Sequence, residues 1–256
     1  MINESFDING KELISARDVI KEETALIGKQ AGIETMILTF SYKLIDILKE
    51  KEIIEEINEE LKLGSAAGYS MIYRIKGKNI GVMLSGIGAP LAGAMIEELQ
   101  ALMDIKNVVV FGSCGVLEDI PEGRIIVPDE AYRDEGMSYH YAPAADYIRI
   151  KNADKIAEIF EKESIDYVRG KTWTTDAFYR ETDTNRDKRL REGCICVEME
   201  CAALQAVCDF RHVELYQFVY SADSLKGNWS RRILGAMEKD VRLAYFFVAQ
   251  KIAEAL

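Results

Sequence analysis

Apolar and polar positions along the chain follow two rhythms. Residues 9–31 and 41–63 carry apolar side chains at spacings of three and four among charged ones, the pattern of amphipathic helices. Between them Thr35-Met-Ile-Leu-Thr-Phe40 is a short apolar run, which predicts a buried strand. Tyr69–Lys76 and Asn79–Leu84 read as two strands joined at Lys76-Gly77-Lys78. An apolar helix is expected over Leu91–Met103, then a strand, Asn107-Val-Val-Val-Phe111, with no polar face. Further strands are expected at 124–127, 166–173, 194–198 and 213–219, with helices at 153–163, 199–210 and about 229–255. A polar, aromatic-rich loop should run from residue 128 through Tyr147, and a second loop over 174–187. Strands that alternate with helices and are apolar throughout signal an α/β fold with a mixed, mostly parallel central sheet covered by helices on both faces. No linker rich in Gly, Pro or Ser and no internal repeat interrupts the pattern, so one domain over residues 1–256 is expected.

Composition narrows the function. Hydrophobic residues make up 48% of the 256 and charged residues 29%, enough apolar material for a sizeable core. The net charge of −11, from 32 basic and 43 acidic residues, argues against nucleic acid or an anionic membrane as a partner. It leaves room for a small anion in a locally positive pocket. Charge runs such as Lys49–Lys62 are expected to be solvated faces. No run is apolar enough for a membrane span, and the N-terminus MINESFDING lacks an apolar signal core, so a cytoplasmic protein is expected. Five cysteines, Cys114, Cys194, Cys196, Cys201 and Cys208, fit reduced core thiols. Their spacing is unlike a zinc hairpin and only two histidines are present, so no metal is expected.

Two glycine-rich segments follow strands: Ser85-Gly-Ile-Gly-Ala-Pro90 and Gly112-Ser-Cys-Gly115. At the carboxyl end of a sheet such turns let backbone N–H groups approach an anion, although a tight strand-to-helix turn needs no ligand. Neither matches the dinucleotide fingerprint or the P-loop, so a nicotinamide or ATP cofactor is not expected. In Val197-Glu-Met-Glu200 two carboxylates stand two residues apart at a strand-to-helix junction. Such a pair suits a sugar diol, which carboxylates bind as acceptors; it also suits the positive end of a helix.

The chain resembles the hexameric nucleoside phosphorylases, the family of bacterial purine nucleoside and uridine phosphorylases. The resemblance rests on an ordered series over residues 80–230. It comprises Gly86-Ile-Gly-Ala-Pro, Phe111-Gly-Ser-Cys-Gly115, Ala131-Tyr-Arg-Asp-Glu-Gly-Met-Ser-Tyr-His-Tyr141, Trp173-Thr-Thr-Asp-Ala-Phe-Tyr179, Val197-Glu-Met-Glu200 and Ser221-Ala-Asp-Ser-Leu225. It implies phosphorolysis of ribonucleosides to free base and ribose 1-phosphate, with inorganic phosphate as co-substrate and no cofactor. It also implies a homo-oligomer, dimer or hexamer. By motif position, Ser113 with Gly86 and Gly88 would hold phosphate. Glu198, Met199 and Glu200 would hold the ribose. Tyr139, Tyr141, Phe178 and Asp223 would meet the base, with Asp223 as its acid. Asp223 and the absence of a Gln-x-Arg pair after Phe178-Tyr179 favour purine over uridine. Read from the residues alone, Asp223 also suits a helix N-cap, and the tyrosines suit loop packing.

The family's phosphate-binding arginines are missing. The first strand ends in Phe40-Ser-Tyr-Lys43 where a Gly-Asp-Pro turn and an arginine are usual, and Val110 stands where a second arginine is usual. Lys43 is the cation that remains, a point charge rather than a planar fork. Three readings follow: a phosphorylase with a rearranged anion site, a nucleosidase of the same superfamily, or a nucleoside-binding protein without turnover.

Overall fold

The computed structural model describes residues 2–66 and 68–256. Its strands are β1 (Thr35–Thr39), β2 (Ile54–Glu56), β3 (Lys62–Ser65), β4 (Gly68–Ile75), β5 (Ile80–Leu84), β6 (Asn107–Val116), β7 (Ile125–Asp134), β8 (Tyr147–Arg149), β9 (Tyr167–Thr175), β10 (Cys194–Glu198) and β11 (Glu214–Ser224). Its helices are α1 (Ala16–Val19), α2 (Glu22–Gln30), α3 (Tyr42–Glu50), α4 (Ala89–Met103), α5 (Ser138–Tyr141), α6 (Ala153–Lys162), α7 (Asp183–Arg191), α8 (Cys201–Arg211) and α9 (Lys239–Glu254).

The strands form one mixed sheet in the order β10-β9-β7-β11-β6-β1-β5-β4-β2, with β3 on β4 and β8 on β7. Strand β6 also pairs antiparallel with β10, so β6, β11, β7, β9 and β10 close into a ring. Strand β1 shows why helices cover both faces. All five of its residues are buried, and successive side chains point to opposite sides. Met36 and Leu38 enter a core with α4 and α8, through Met95, Leu99, Leu204 and Val207. Ile37 enters the opposite core with α3 and α9, through Leu44, Leu48, Leu243 and Phe246.

Several expectations are corrected. Residues 41–63 are not one helix: α3 ends at Glu50 and the chain turns at Glu52, in the left-handed region at φ 53°. Beyond it β2 and β3 both pair with β4, Ile54 facing Ile75 and Leu63 facing Ser70. Backbone pairing to an existing strand outweighs the helical spacing of the glutamates. Within the helix expected at 9–31, helical structure is confined to α1 and α2. The expected loop at 174–187 contains the start of α7, and that at 128–147 contains the rest of β7, α5 and the start of β8. The terminal helix begins at Lys239, because Arg232 and Gly235 adopt φ 47° and 71° and turn the chain. Gly112-Ser-Cys-Gly115 is not a turn but the second half of β6.

Candidate active site

The split in the partners of β6 creates the site. Strand β1 lies beside it up to the pair Thr39–Phe111, and β10 lies beside it from the pair Val197–Gly115 onward. On that edge residues 112–114 have no strand alongside. A cleft of about 310 Å³ opens there, lined by Thr39, Ser41, Lys43, Gly112, Ser113 and Arg242, with Tyr220, Leu234 and Met237 among its walls. Ser113 is exposed, whereas Gly112 and Cys114 on either side are buried. A Cβ on Gly112 would lie 2.8 Å from the Phe40 ring, so glycine is required for that ring to close the cleft wall.

Ser41 caps α3, its Oγ accepting from the Leu44 N–H at 3.3 Å, and receives a second hydrogen bond from Arg242 Nη1 at 3.0 Å. Arg242 lies in the first turn of α9 and also donates through Nε to the Met237 carbonyl at 3.1 Å. Among the described residues no carboxylate pairs with Lys43 or Arg242, and none lines the cleft.

Glu198 and Glu200 do different work. Glu198 is buried with both oxygens engaged. Oε1 accepts from the Thr174 hydroxyl at 2.5 Å and the Thr172 hydroxyl at 3.2 Å. Oε2 accepts from the backbone N–H of Glu200 at 2.7 Å and of Cys201 at 2.6 Å. Four donors fill its acceptor sites and fix the start of α8. Burial raises its pKa against the pull of these donors. Glu200 is half-buried, and Oε1 accepts from the Gly88 N–H at 2.6 Å. Its carboxyl is pushed up to about 8, first by burial and then by the charge of Glu198. The Gly86–Gly88 turn therefore braces Glu200. Gly88 has φ 92°, a conformation that favours glycine, and leads into α4.

Asp223 stands beside Gly115 across the β11–β6 pairing, just after a bulge. A Cβ on Gly115 would lie 3.2 Å from Val197 Cγ1 and 3.5 Å from Asp223 Oδ1, so this glycine separates the Glu-Met-Glu strand from the aspartate. Asp223 Oδ2 accepts from the Trp229 indole N–H at 2.8 Å. A short bridge between Ser224 and Ser230 folds Trp229 back to make this contact. Burial raises the Asp223 carboxyl, opposed by the indole N–H and by Arg232. Glu181 is pushed up to about 7 by burial and then by the charge of Asp223. It follows a 3-10 turn on which the exposed rings of Phe178 and Tyr179 lie 3.9 Å apart.

The Phosphorylase superfamily profile matches residues 35–244. The chain belongs to the phosphorylase superfamily. It is 32% identical over 190 residues to the DeoD-type purine nucleoside phosphorylase of Alkaliphilus metalliredigens, covering 70% of this chain and 80% of that one. With the DeoD-type enzyme of Aliivibrio fischeri it shares 29% identity over 157 residues, 60% of this chain and 66% of that relative. Among solved structures its fold is similar to AMP nucleosidase from Bacteroides thetaiotaomicron, with a TM-score of 0.70 at 15% identity over 94% of this chain and 97% of that one. It is also similar to purine nucleoside phosphorylase from Toxoplasma gondii, with a TM-score of 0.70 at 17% identity over 88% of this chain and 91% of that one.

Within this member of the phosphorylase superfamily, Lys43 and Ser113 line one cleft, while Gly86 and Gly88 stand with Glu200 rather than in it. Met199 is half-buried between the two glutamates. Tyr139 and Tyr141 are engaged in packing. The Tyr139 hydroxyl donates to the Arg133 carbonyl at 3.1 Å under the Arg133 guanidinium, and Tyr141 packs edge-on against Phe210. Asp176, which accepts from the Gly136 N–H at 3.0 Å, braces the loop. Sequence reasoning missed Arg242, Trp229 and Glu181. Arg242 sits in a helix far along the chain, with no motif around it. Trp229 lay inside the expected terminal helix, although a lone tryptophan six residues after an aspartate was a usable signal. All five cysteines are buried and free. Among the described residues no group of three His, Cys, Asp or Glu side chains is placed to hold a metal ion.

Proposed function

We propose that the protein cleaves ribonucleosides, purine in preference to uridine, by phosphorolysis. An oxygen of inorganic phosphate attacks the anomeric carbon as the glycosidic bond breaks, and the bond pair leaves with the base. Protonated Asp223 donates its proton to the departing base, and the products are free base and ribose 1-phosphate. The oxocarbenium-like ribose is held by Glu200 through its hydroxyls, with Met199 against its face and Glu198 anchoring the strand-to-helix junction. Phe178 lies beside the base.

The observation that carries this reading is the chemistry of the cleft wall. Among the described residues it contains two cations and two serines but no carboxylate, so it suits an anionic nucleophile and offers no carboxylate base to activate water. Phosphorus NMR of a reaction with inosine should show ribose 1-phosphate forming as inorganic phosphate disappears. Free ribose with phosphate unchanged would establish hydrolysis instead. The reading extends to a cytoplasmic homo-oligomer, dimer or hexamer. A monomer by light scattering at assay concentration would refute that assembly.

A further inference from the structure

We propose that Arg242 is the guanidinium that grips the anionic co-substrate, replacing from the C-terminal helix the arginines missing from the first strand and from β6. The inference rests on the phosphorolysis reading and adds a residue to it.

Three observations carry it. First, Arg242 is placed at the open edge of β6. It lines the cleft with Ser113, Lys43 and Thr39, and its Nη1 bond to Ser41 at 3.0 Å ties it to the end of β1. The Nε bond to the Met237 carbonyl fixes the plane of the fork. A guanidinium has five N–H donors, and these two bonds use two of them. Among the described residues no protein acceptor takes the remaining Nη donors. Second, the charge is unneutralised in a chain with 43 acidic residues. Arg211, also half-buried, meets Glu97 at 2.6 Å and Glu12 at 2.5 Å, and Arg186 meets Asp187 at 2.9 Å, whereas Arg74 and Arg232, like Arg242, donate to carbonyl or hydroxyl oxygens, but neither of those two lines the cleft. Third, a molecule of net charge −11 repels phosphate at long range, so the cleft needs local positive charge to hold a dianion. Lys43 supplies a point charge at the exposed rim. Arg242 supplies a planar donor array already held in place, the geometry that matches two phosphate oxygens.

The test compares wild type with Arg242→Ala and Arg242→Lys. Inorganic phosphate and sulfate are the probes, read by thermal shift, and KM is measured for phosphate and for inosine. Both anions should raise the wild-type midpoint, and Arg242→Ala should abolish that rise. Its KM for phosphate should increase about 10- to 100-fold, the loss of charge-assisted bonds, while KM for inosine stays unchanged. Arg242→Lys should fall between the two, and added guanidinium chloride should partly restore Arg242→Ala. A folded Arg242→Ala protein with the wild-type phosphate KM and anion-induced shift would overturn the inference. If Arg242→Ala does not fold, an Arg242→Lys variant identical to wild type in both readouts would overturn it equally. Should wild type release base without phosphate, the phosphorolysis reading fails by itself. The sulfate titration then still decides on Arg242, a shift lost in the variant supporting the anion site and no wild-type shift overturning it.

Discussion

Glu200 combines a raised carboxyl with a fixed hydrogen bond from Gly88, and both bear on experiment. Glu200→Gln replaces a carboxyl group that meets the ribose hydroxyls in the proposed reaction, so ribonucleoside kcat/KM at neutral pH should fall by the equivalent of about 0.5–1.5 kcal/mol. 2′- and 3′-deoxynucleosides should lose less. Equal losses for all three sugars would take Glu200 out of the sugar site. Stability has its own signature. The folded pKa, pushed up to about 8, lies above the ordinary glutamate value of 4.5, so between these limits the folded chain holds a proton that the unfolded chain releases. The contribution of Glu200 to stability is therefore full below pH 4.5 and is lost as pH rises through 8. Thermal midpoints of Glu200→Gln should decline less over that interval than those of wild type. A parallel decline would show that Glu200 does not carry the difference. At Asp223 the indole of Trp229 favours the charged form. Trp229→Phe should raise the Asp223 pKa further and extend acid-dependent turnover to higher pH. Asp223→Asn should lower kcat far more than it raises KM, because the amide keeps the shape but has no acidic proton. Unchanged turnover in Asp223→Asn would leave that aspartate a purely structural role.

Elements set how these residues meet, and close helix contacts set the elements. A Cβ on Gly28 of α2 would run into the backbone carbonyl of Leu102 at the end of α4, which has no flexible end to yield. Gly28→Ala should destabilise the fold by about 1–3 kcal/mol through overpacking. Chemical denaturation measures it, and KM for the nucleoside should not change. A stability equal to wild type would mean that α2 moves freely against α4. The elements also separate what sequence could reveal from what it could not. Strands β1, β4 and β5, helix α4 and the β10–α8 junction were legible because their apolar patterns match their burial. Strands β2 and β3 were hidden by the glutamates of Lys49–Lys62, which carry helical spacing while the backbone pairs with β4. Helix α7, Asp-Thr-Asn-Arg-Asp-Lys-Arg-Leu-Arg, has almost no apolar face to announce it. Ser113, Glu200 and Asp223 could be named as candidates because motifs surround them. Arg242 was not, because the contact that places it joins residues 41 and 242, a pairing that only the folded sheet creates. The role of Glu198 was likewise set by folding, which brings Thr172 and Thr174 from β9 to fill its acceptor sites.

Across the whole molecule, the ring formed by β6, β11, β7, β9 and β10 and the sheet continuing through β1, β5 and β4 share one strand, β6. On the edge away from β11, its stretch at 112–114 faces a cleft with Lys43 and Arg242 on one side, and its end at Gly115 lies between β10 and Asp223. That arrangement sets a cleft with two cations and a carboxyl whose pKa burial raises along one strand, which the proposed phosphorolysis would use for nucleophile and leaving base. The most direct measurement is release of free base from a panel of inosine, adenosine, guanosine and uridine, each with and without inorganic phosphate. The account predicts base release from the purine nucleosides that depends on phosphate and saturates with it, and slower release from uridine. Base release at an equal rate in phosphate-free buffer would contradict it.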